Sequence, residues 1–202
     1  MSAQEFTALL MLATAMSFTP GPNTTLSTAL AANFGLKQAL PFCAAVPAGW
    51  TLLMLLCGTG VGALILAAPP LRLALKAFGV AYLLWLAWRL AGTRALGQAA
   101  APVRVSFGQG VLLQFLNIKA WMLALTITAG WVAVQGVDAA QSARRLAVVL
   151  GVMMVYAFAS NFLYALVGAA LRQWLSQGQR LLWFNRVLGG LLALTAVWMA
   201  TL

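Results

Sequence analysis

The sequence contains no histidine, and of its 202 residues only Glu5 and Asp138 are acidic. Lacking histidine, it can form no Ser–His–Asp triad and offers no imidazole to a metal. A carboxylate pair would require Glu5 to meet Asp138. The two cysteines, Cys43 and Cys57, fall in one apolar run. Fourteen residues of helix separate them by roughly 21 Å, far beyond the roughly 7 Å a disulfide spans. There is no CxxC, which disfavours a thiol-redox carrier, and both thiols read as small apolar filler. No metal site and no cofactor are expected. A Ser–Lys dyad, such as Ser160 with Lys119, is the nucleophilic arrangement the composition leaves open. Otherwise the chain is not expected to be an enzyme.

Charge is missing over long stretches as well. No charged residue occurs in 6–36, 38–71 or 146–171, while 63% of all residues are hydrophobic. Apolar runs of this length cross a bilayer. The predicted class is therefore an all-α membrane protein with six transmembrane helices, near Phe6–Ala32, Ala39–Ala67, Leu73–Trp88, Gly110–Val134, Leu146–Leu171 and Leu181–Thr201. The remaining segments are short connections, so residues 1–202 read as a single transmembrane domain. Glu5, with no Lys or Arg ahead of the first run, argues against a cleavable signal.

The net charge of +10 does not imply nucleic acid, because the basic residues gather at the ends of spans. Lys37, Arg89, Arg94, Arg104, Arg172, Arg180 and Arg186 fall in the odd connections. Arg72, Arg144 and Arg145 fall in the even ones, with Lys76 beside them. The positive-inside rule then places the odd connections in the cytoplasm and both termini outside, the periplasmic side of a bacterial inner membrane. Trp131, Trp174, Trp183 and Trp198 lie toward span ends as interfacial anchors, and Trp85 and Trp88 read the same way.

The long connection Ala91–Ser106 divides the chain into halves of about 1–92 and 105–202, with three spans each. An odd number of spans per half makes the halves run oppositely, the arithmetic of two inverted repeats. The first span of each half is interrupted, by Thr19-Pro20-Gly21-Pro22-Asn23 in one and by Gln114-Phe115-Leu116-Asn117-Ile118-Lys119 in the other. Interruptions at matching positions of two halves point to a binding site in secondary transporters.

Each interruption has its own chemistry. Pro20 and Pro22 remove backbone donors and Gly21 loosens the chain between them, so the helix opens. Pro22 suits the first turn of a new helix, and Asn23, Thr24 and Thr25 supply oxygens to cap it or line the gap. That new N-terminus suits a carboxylate; the bland alternative is a packing kink. Lys119 has 14 uncharged residues before it and 18 after it. An ammonium inside a span faces the bundle interior and holds an anion, unless the span starts later and the side chain snorkels to the interface. Gln114 and Asn117 suit helix–helix hydrogen bonds as well as ligand contacts, and the same holds for Asn161 in the fifth span. Tyr164 could add a hydroxyl to the same cavity. Lys76, near the start of the third span, reads as a snorkelling residue.

These elements resemble the lysine-exporter (LysE/RhtB) family of bacterial amino-acid exporters. The resemblance rests on the Pro-Gly-Pro-Asn break, Gly35-Leu36-Lys37 after it, Asn117 with Lys119, and Asn185-Arg186-Val187-Leu188-Gly189-Gly190. It covers nearly the whole chain. Gln114-Phe115, Asn161 among aromatics and Met54-Leu55-Leu56-Cys57 look like the branch that exports cysteine and O-acetylserine. Two features depart from the family pattern. Ile118 replaces the proline of the usual Asn-Pro-Lys, which predicts a less sharply broken helix there. Ala39 and Ala45 stand where glycines are usual.

The resemblance implies efflux of a small neutral amino acid or derivative, of the cysteine/O-acetylserine or serine/threonine/homoserine type, driven by an ion gradient. The expected substrate site is Pro20, Gly21, Pro22, Asn23, Thr24, Gln114, Asn117, Lys119, Asn161 and Tyr164. The expected partners are the amino acid and the lipid bilayer. Gly189 and Gly190 suit a homo-oligomer face or internal packing equally. Proton coupling is the family expectation, yet relays through membranes use Asp, Glu or His, and no span core here carries one. Coupling would then use Lys119, Glu5, a tyrosine or the substrate's own protons; a facilitator or channel without ion coupling is the alternative.

Overall fold

The computed structural model describes residues 1–60, 62, 64, 67–94, 96 and 105–201. Arg104, most of the connection between the halves, and parts of 61–66 at the end of the second predicted span lie outside them. The described residues form eight helices and contain no strand: α1 Ala3–Phe18, α2 Pro22–Phe34, α3 Leu36–Gly58, α4 Pro69–Ala91, α5 Phe107–Leu116, α6 Ile118–Ile127, α7 Ala139–Leu175 and α8 Arg180–Thr201. A single π turn, Thr128–Val132, continues α6.

Four helices, α3, α4, α7 and α8, are each long and apolar enough to cross a membrane. The pair α5 and α6 with its π turn passes the same test together, as one span bent by 71°. The chain is thus an all-helical membrane protein with four or five such spans among the described residues. The first predicted span is two helices, α1 and α2, separated at Thr19–Gly21 where the prolines fall. α7 is the longest helix and begins seven residues ahead of the predicted Leu146, because Asp138 caps it by accepting from Gln141 N–H.

The short helix α2 is the hub. Pro22 and every residue from Thr24 to Asn33 are buried, the mark of a helix enclosed on all sides. It packs most extensively on α7, and also on α3 and α8; α4 packs on α8, and α3 on α5 and α7. Small residues permit the close crossings. A Cβ on Gly168 of α7 would lie 2.2 Å from the Thr28 carbonyl oxygen of α2. One on Gly79 of α4 would lie 2.0 Å from the Leu116 carbonyl oxygen, at the α5–α6 bend.

The expectation of a gentler break at Ile118 is overturned by the 71° bend. Asparagine does there what proline does elsewhere. Asn117 leaves helical geometry (φ −95°, ψ 98°) and its Oδ1 accepts from the Lys119 N–H at 3.2 Å, capping α6. The Phe115 carbonyl, near the end of α5, accepts instead from the Trp121 indole N–H at 2.8 Å. An extended capping residue and a side-chain donor suffice to turn the chain.

Candidate functional site

The two helix breaks meet. Where α1 gives way to α2 and α5 to α6, the chain lines a partly open cavity of about 90 Å³, completed by α3 and α7. Its volume is well under that of pockets that take drug-sized ligands, about 300–1,000 Å³, and suits a solute of few heavy atoms. Eight of the ten expected site residues line it: Gly21, Pro22, Asn23, Thr24, Gln114, Asn117, Lys119 and Asn161.

Two do not. Pro20 lines a neighbouring groove with Thr25, Leu194 and Trp198, which shares Gly21, Pro22 and Lys119 with the cavity. Tyr164 donates its hydroxyl to the Phe18 carbonyl at 3.0 Å and lies outside the lining. Its role is local. Pro22 has no N–H for the Phe18 carbonyl to accept, and the tyrosine hydroxyl takes that place.

The polar side chains are held by one another. Asn23 Nδ2 donates to Gln114 Oε1 at 2.9 Å, and Gln114 Nε2 returns a bond to Asn23 Oδ1 at 3.1 Å. Gln114 also donates to the Gly110 carbonyl. Ser27 donates to Asn161 Oδ1 at 2.8 Å, while Asn161 donates to the Ala157 carbonyl. Asn161 therefore joins α2 to α7 and lines the cavity as well. Thr24 Oγ1 accepts from the Gly21 N–H at 3.0 Å and donates to the Gly21 carbonyl at 3.1 Å, at the start of α2.

Lys119 is half-buried and lines both the cavity and the groove. Its ammonium nitrogen lies 4.0 Å from where a Cβ of Gly21 would be. It has no hydrogen-bond or ion-pair partner among the described residues. Beside it α2 begins, with the unpaired N–H groups and partial positive charge of a helix N-terminus. No carboxylate among the described residues lines this cavity. Glu5 pairs with Arg145 at 3.1 Å, and Asp138 caps α7. The arrangement presents donors and positive charge to a small space, which is the chemistry of an anion site. Pro20 removes the N–H that the Met16 carbonyl would accept, and Met16 lines the cavity.

Sequence reasoning missed several residues. Trp50 on α3 lines the cavity and is 5% exposed. Its position in mid-run, far from any charge, sets it apart from the tryptophans at span ends. Asn33 and Asn185 exchange a second buried amide pair at 2.9 and 3.0 Å between α2 and α8. Trp174, Trp183, Trp198, Trp85 and Trp88 are exposed, as interfacial anchors would be. Trp131 differs, donating its indole N–H to the Glu5 carbonyl at 2.8 Å.

The LysE type translocator family model matches residues 14–202. A cysteine/O-acetylserine efflux protein of Salmonella typhimurium (strain LT2) is 34% identical over 110 residues, covering 54% of this chain and only 56% of that protein. The proteins of the same name from Escherichia coli K12 and Shigella flexneri serotype 5b are each 33% identical over 192 residues, covering 92% of this chain and 91% of theirs. No solved structure matches the chain significantly. With nearly its full length matched, this chain, a transporter rather than an enzyme, belongs to the LysE-type translocator family.

Proposed function

We propose that this protein exports a small neutral amino acid or derivative across the bacterial inner membrane, of the cysteine/O-acetylserine or serine/threonine/homoserine type. The observation that carries the reading is the convergence of two helix breaks on one small cavity lined by donors and by a lysine whose ammonium has no partner among the described residues. The substrate carboxylate lies against Lys119 and the start of α2. Its ammonium takes neutral oxygens such as the Met16 carbonyl, and its side chain meets the apolar wall. The relatives named as cysteine/O-acetylserine efflux proteins support this substrate class.

The remaining architecture follows the sequence reading. Residues 1–202 form one membrane domain of six spans, α1 with α2 counting as the first and α5 with α6 as the fourth. The two three-span halves are inverted repeats, and access alternates as one half rocks against the other. Both termini face the periplasm. Arg89, Arg180 and Arg186 lie over the rings of Trp85, Trp174 and Trp183 at 4.7–5.2 Å, which supports one basic, tryptophan-anchored face.

Coupling to the proton gradient needs a titrating group, and both carboxylate side chains are engaged away from the cavity. That observation favours a second reading, a facilitator driven by the substrate's own gradient. Uptake of radiolabelled cysteine, O-acetylserine, serine, threonine, homoserine and lysine into inside-out vesicles separates the two. Saturable uptake that rises with an imposed proton gradient supports coupled export, and the same uptake without the gradient supports the facilitator. Loss in Lys119→Ala supports the anion site, whereas unchanged uptake removes Lys119 from it. Uptake of none of these compounds overturns amino-acid export.

A further inference from the structure

The turn from α7 into α8 carries positive charge that no acidic side chain of the protein neutralises. The sequence has two such side chains. Asp138 caps the start of α7, and Glu5 pairs with Arg145 in its second turn. Trp174 lies near the other end of this 37-residue helix, roughly 40 Å or more from both at 1.5 Å per residue. There an open groove of about 430 Å³ is lined by Trp174, Gln179, Arg180, Trp183, Phe184 and Val187. Arg172, in the last turn of α7, adds a further charge to this end.

The guanidiniums at this groove are held in place with donors to spare. Arg180 lies 4.7 Å over the Trp174 ring, and its Nη1 donates to Gln177 Oε1 at 2.6 Å and to the Trp174 carbonyl at 3.5 Å. Stacking and these two bonds fix its direction, while its Nε and Nη2 have no acceptor among the described residues. Arg186 lies 5.0 Å over the ring of Trp183, which lines the groove, and has neither hydrogen bond nor ion pair among the described residues. Both arginines are exposed, so an incoming group can reach them. A guanidinium laid flat on a ring keeps its in-plane N–H fork free, and that fork fits the oxygens of a phosphate.

Beyond the arginines α8 continues as an apolar track. Trp183, Val187, Leu191, Leu194 and Trp198 recur at intervals of three and four, so they share one face, and each is 42–67% exposed. A face that is basic and tryptophan-rich at one end and apolar along its length matches a phospholipid, with its charged head at the membrane surface and its chains along the helix. A free phosphate would leave the track unused. A second copy packed on this face about a two-fold axis along the membrane normal would set arginine against arginine. We propose that the groove between Trp174 and Trp183 binds an anionic phospholipid. Arg180 holds the phosphate, with Arg186 alongside it on Trp183, and an acyl chain lies along Val187, Leu191 and Leu194. The site rests on the membrane fold and not on the export reading.

The test follows the melting temperature of the purified full chain in a neutral detergent, because a ligand of the folded state raises it. The titrants are phosphatidylglycerol, phosphatidylcholine of the same acyl chains, and glycerol phosphate. Phosphatidylglycerol should act saturably at about a tenfold lower concentration than phosphatidylcholine, which is neutral overall. Glycerol phosphate, an anion without chains, should be weaker still. Replacing both arginines, Arg180→Gln with Arg186→Gln, should bring the two lipids within about threefold of each other. Arg144→Gln removes an exposed arginine near the start of α7 and should leave the preference unchanged. Equal potency of the two lipids on the wild type overturns the proposal and needs no variant. A preference that survives the double substitution overturns it, as does one lost equally in Arg144→Gln, since net charge alone then governs binding. Glycerol phosphate as potent as phosphatidylglycerol overturns the lipid in favour of a free anion. A cross-linked dimer on which phosphatidylglycerol has no effect overturns it in favour of a second copy.

Discussion

Asn23 and Gln114 hold each other by two amide hydrogen bonds of 2.9 and 3.1 Å, although 91 residues separate them in sequence. One follows the first helix break and the other precedes the second. The pair therefore fixes the two breaks against each other at the cavity wall. Truncating one partner strands the other's amide in a buried site, which costs about 1–3 kcal/mol. Gln114→Ala should lower the melting temperature in detergent and abolish most uptake in vesicles. Asn23→Ala should do the same, and the double variant should cost less than the sum of the two singles. A strictly additive result would show that the amides are not coupled.

The breaks themselves were legible in the sequence. Pro20 and Pro22 cannot supply helix N–H groups, and Lys119 in an apolar run has to be explained. The sharp bend at Asn117 was not, because it depends on the Trp121 indole reaching the Phe115 carbonyl, a contact made only after the chain turns. Trp50, Asn33 and Ser27 were hidden for a related reason. In a span that is apolar all round, period no longer separates the buried face from the lipid face. Asn33 is 2% exposed and Ser27 fully buried, yet either would read from sequence as an ordinary polar residue in a helix. Tyr164 was drawn into the expected site by its nearness to Asn161, but three residues further along α7 it serves the Phe18 carbonyl.

Close crossings predict a contrast among glycines of one helix type. A Cβ on Gly168 would meet the Thr28 backbone at 2.2 Å, and backbone cannot move aside as a flexible side chain can. Gly168→Ala should destabilise the protein by about 1–3 kcal/mol or more, as overpacking does. Gly151, on the same helix, has nothing within 4 Å of its would-be Cβ. Gly151→Ala should be neutral or stabilising by about 0.5–1 kcal/mol. Thermal melts of the two variants in one detergent check the contrast, and equal melting temperatures would refute the α2–α7 crossing.

The Asn33–Asn185 pair predicts the asymmetry of buried amides. Asn185 also donates to the Thr93 carbonyl at 3.2 Å, and Asn33 to the Ala29 carbonyl at 2.8 Å. Asn185→Leu leaves an Asn33 oxygen without a donor and should destabilise by about 1–3 kcal/mol. Replacing both, Asn33→Leu with Asn185→Leu, should recover part of that loss, because no amide is then stranded. A double variant less stable than Asn185→Leu would show that packing volume, not hydrogen bonding, governs the site.

Glu5 predicts a dependence on pH. It lies ahead of the first uncharged run, where its carboxylate receives the Ser2 backbone N–H and two bonds from Arg145, at 3.1 and 3.4 Å. The Ser2 N–H, and then the Arg145 guanidinium, hold its pKa below the ordinary value of 4.5. A carboxyl whose folded pKa is lowered contributes stability that is present above its unfolded pKa and is lost as pH falls through the folded one. Melting temperature should therefore hold steady from pH 7 to about 5 and fall below pH 4.5, the unfolded value. Protonation weakens the tie between the start of α1 and Arg145 of α7, while the Trp131 indole bond to the Glu5 backbone carbonyl does not titrate. Glu5→Gln keeps a side-chain acceptor but cannot titrate, so it should melt lower than wild type at pH 7 and lose the part of the acid decline due to this group. If the two proteins decline in parallel between pH 5 and 3, another group accounts for the acid sensitivity, and the ion pair contributes nothing that depends on pH.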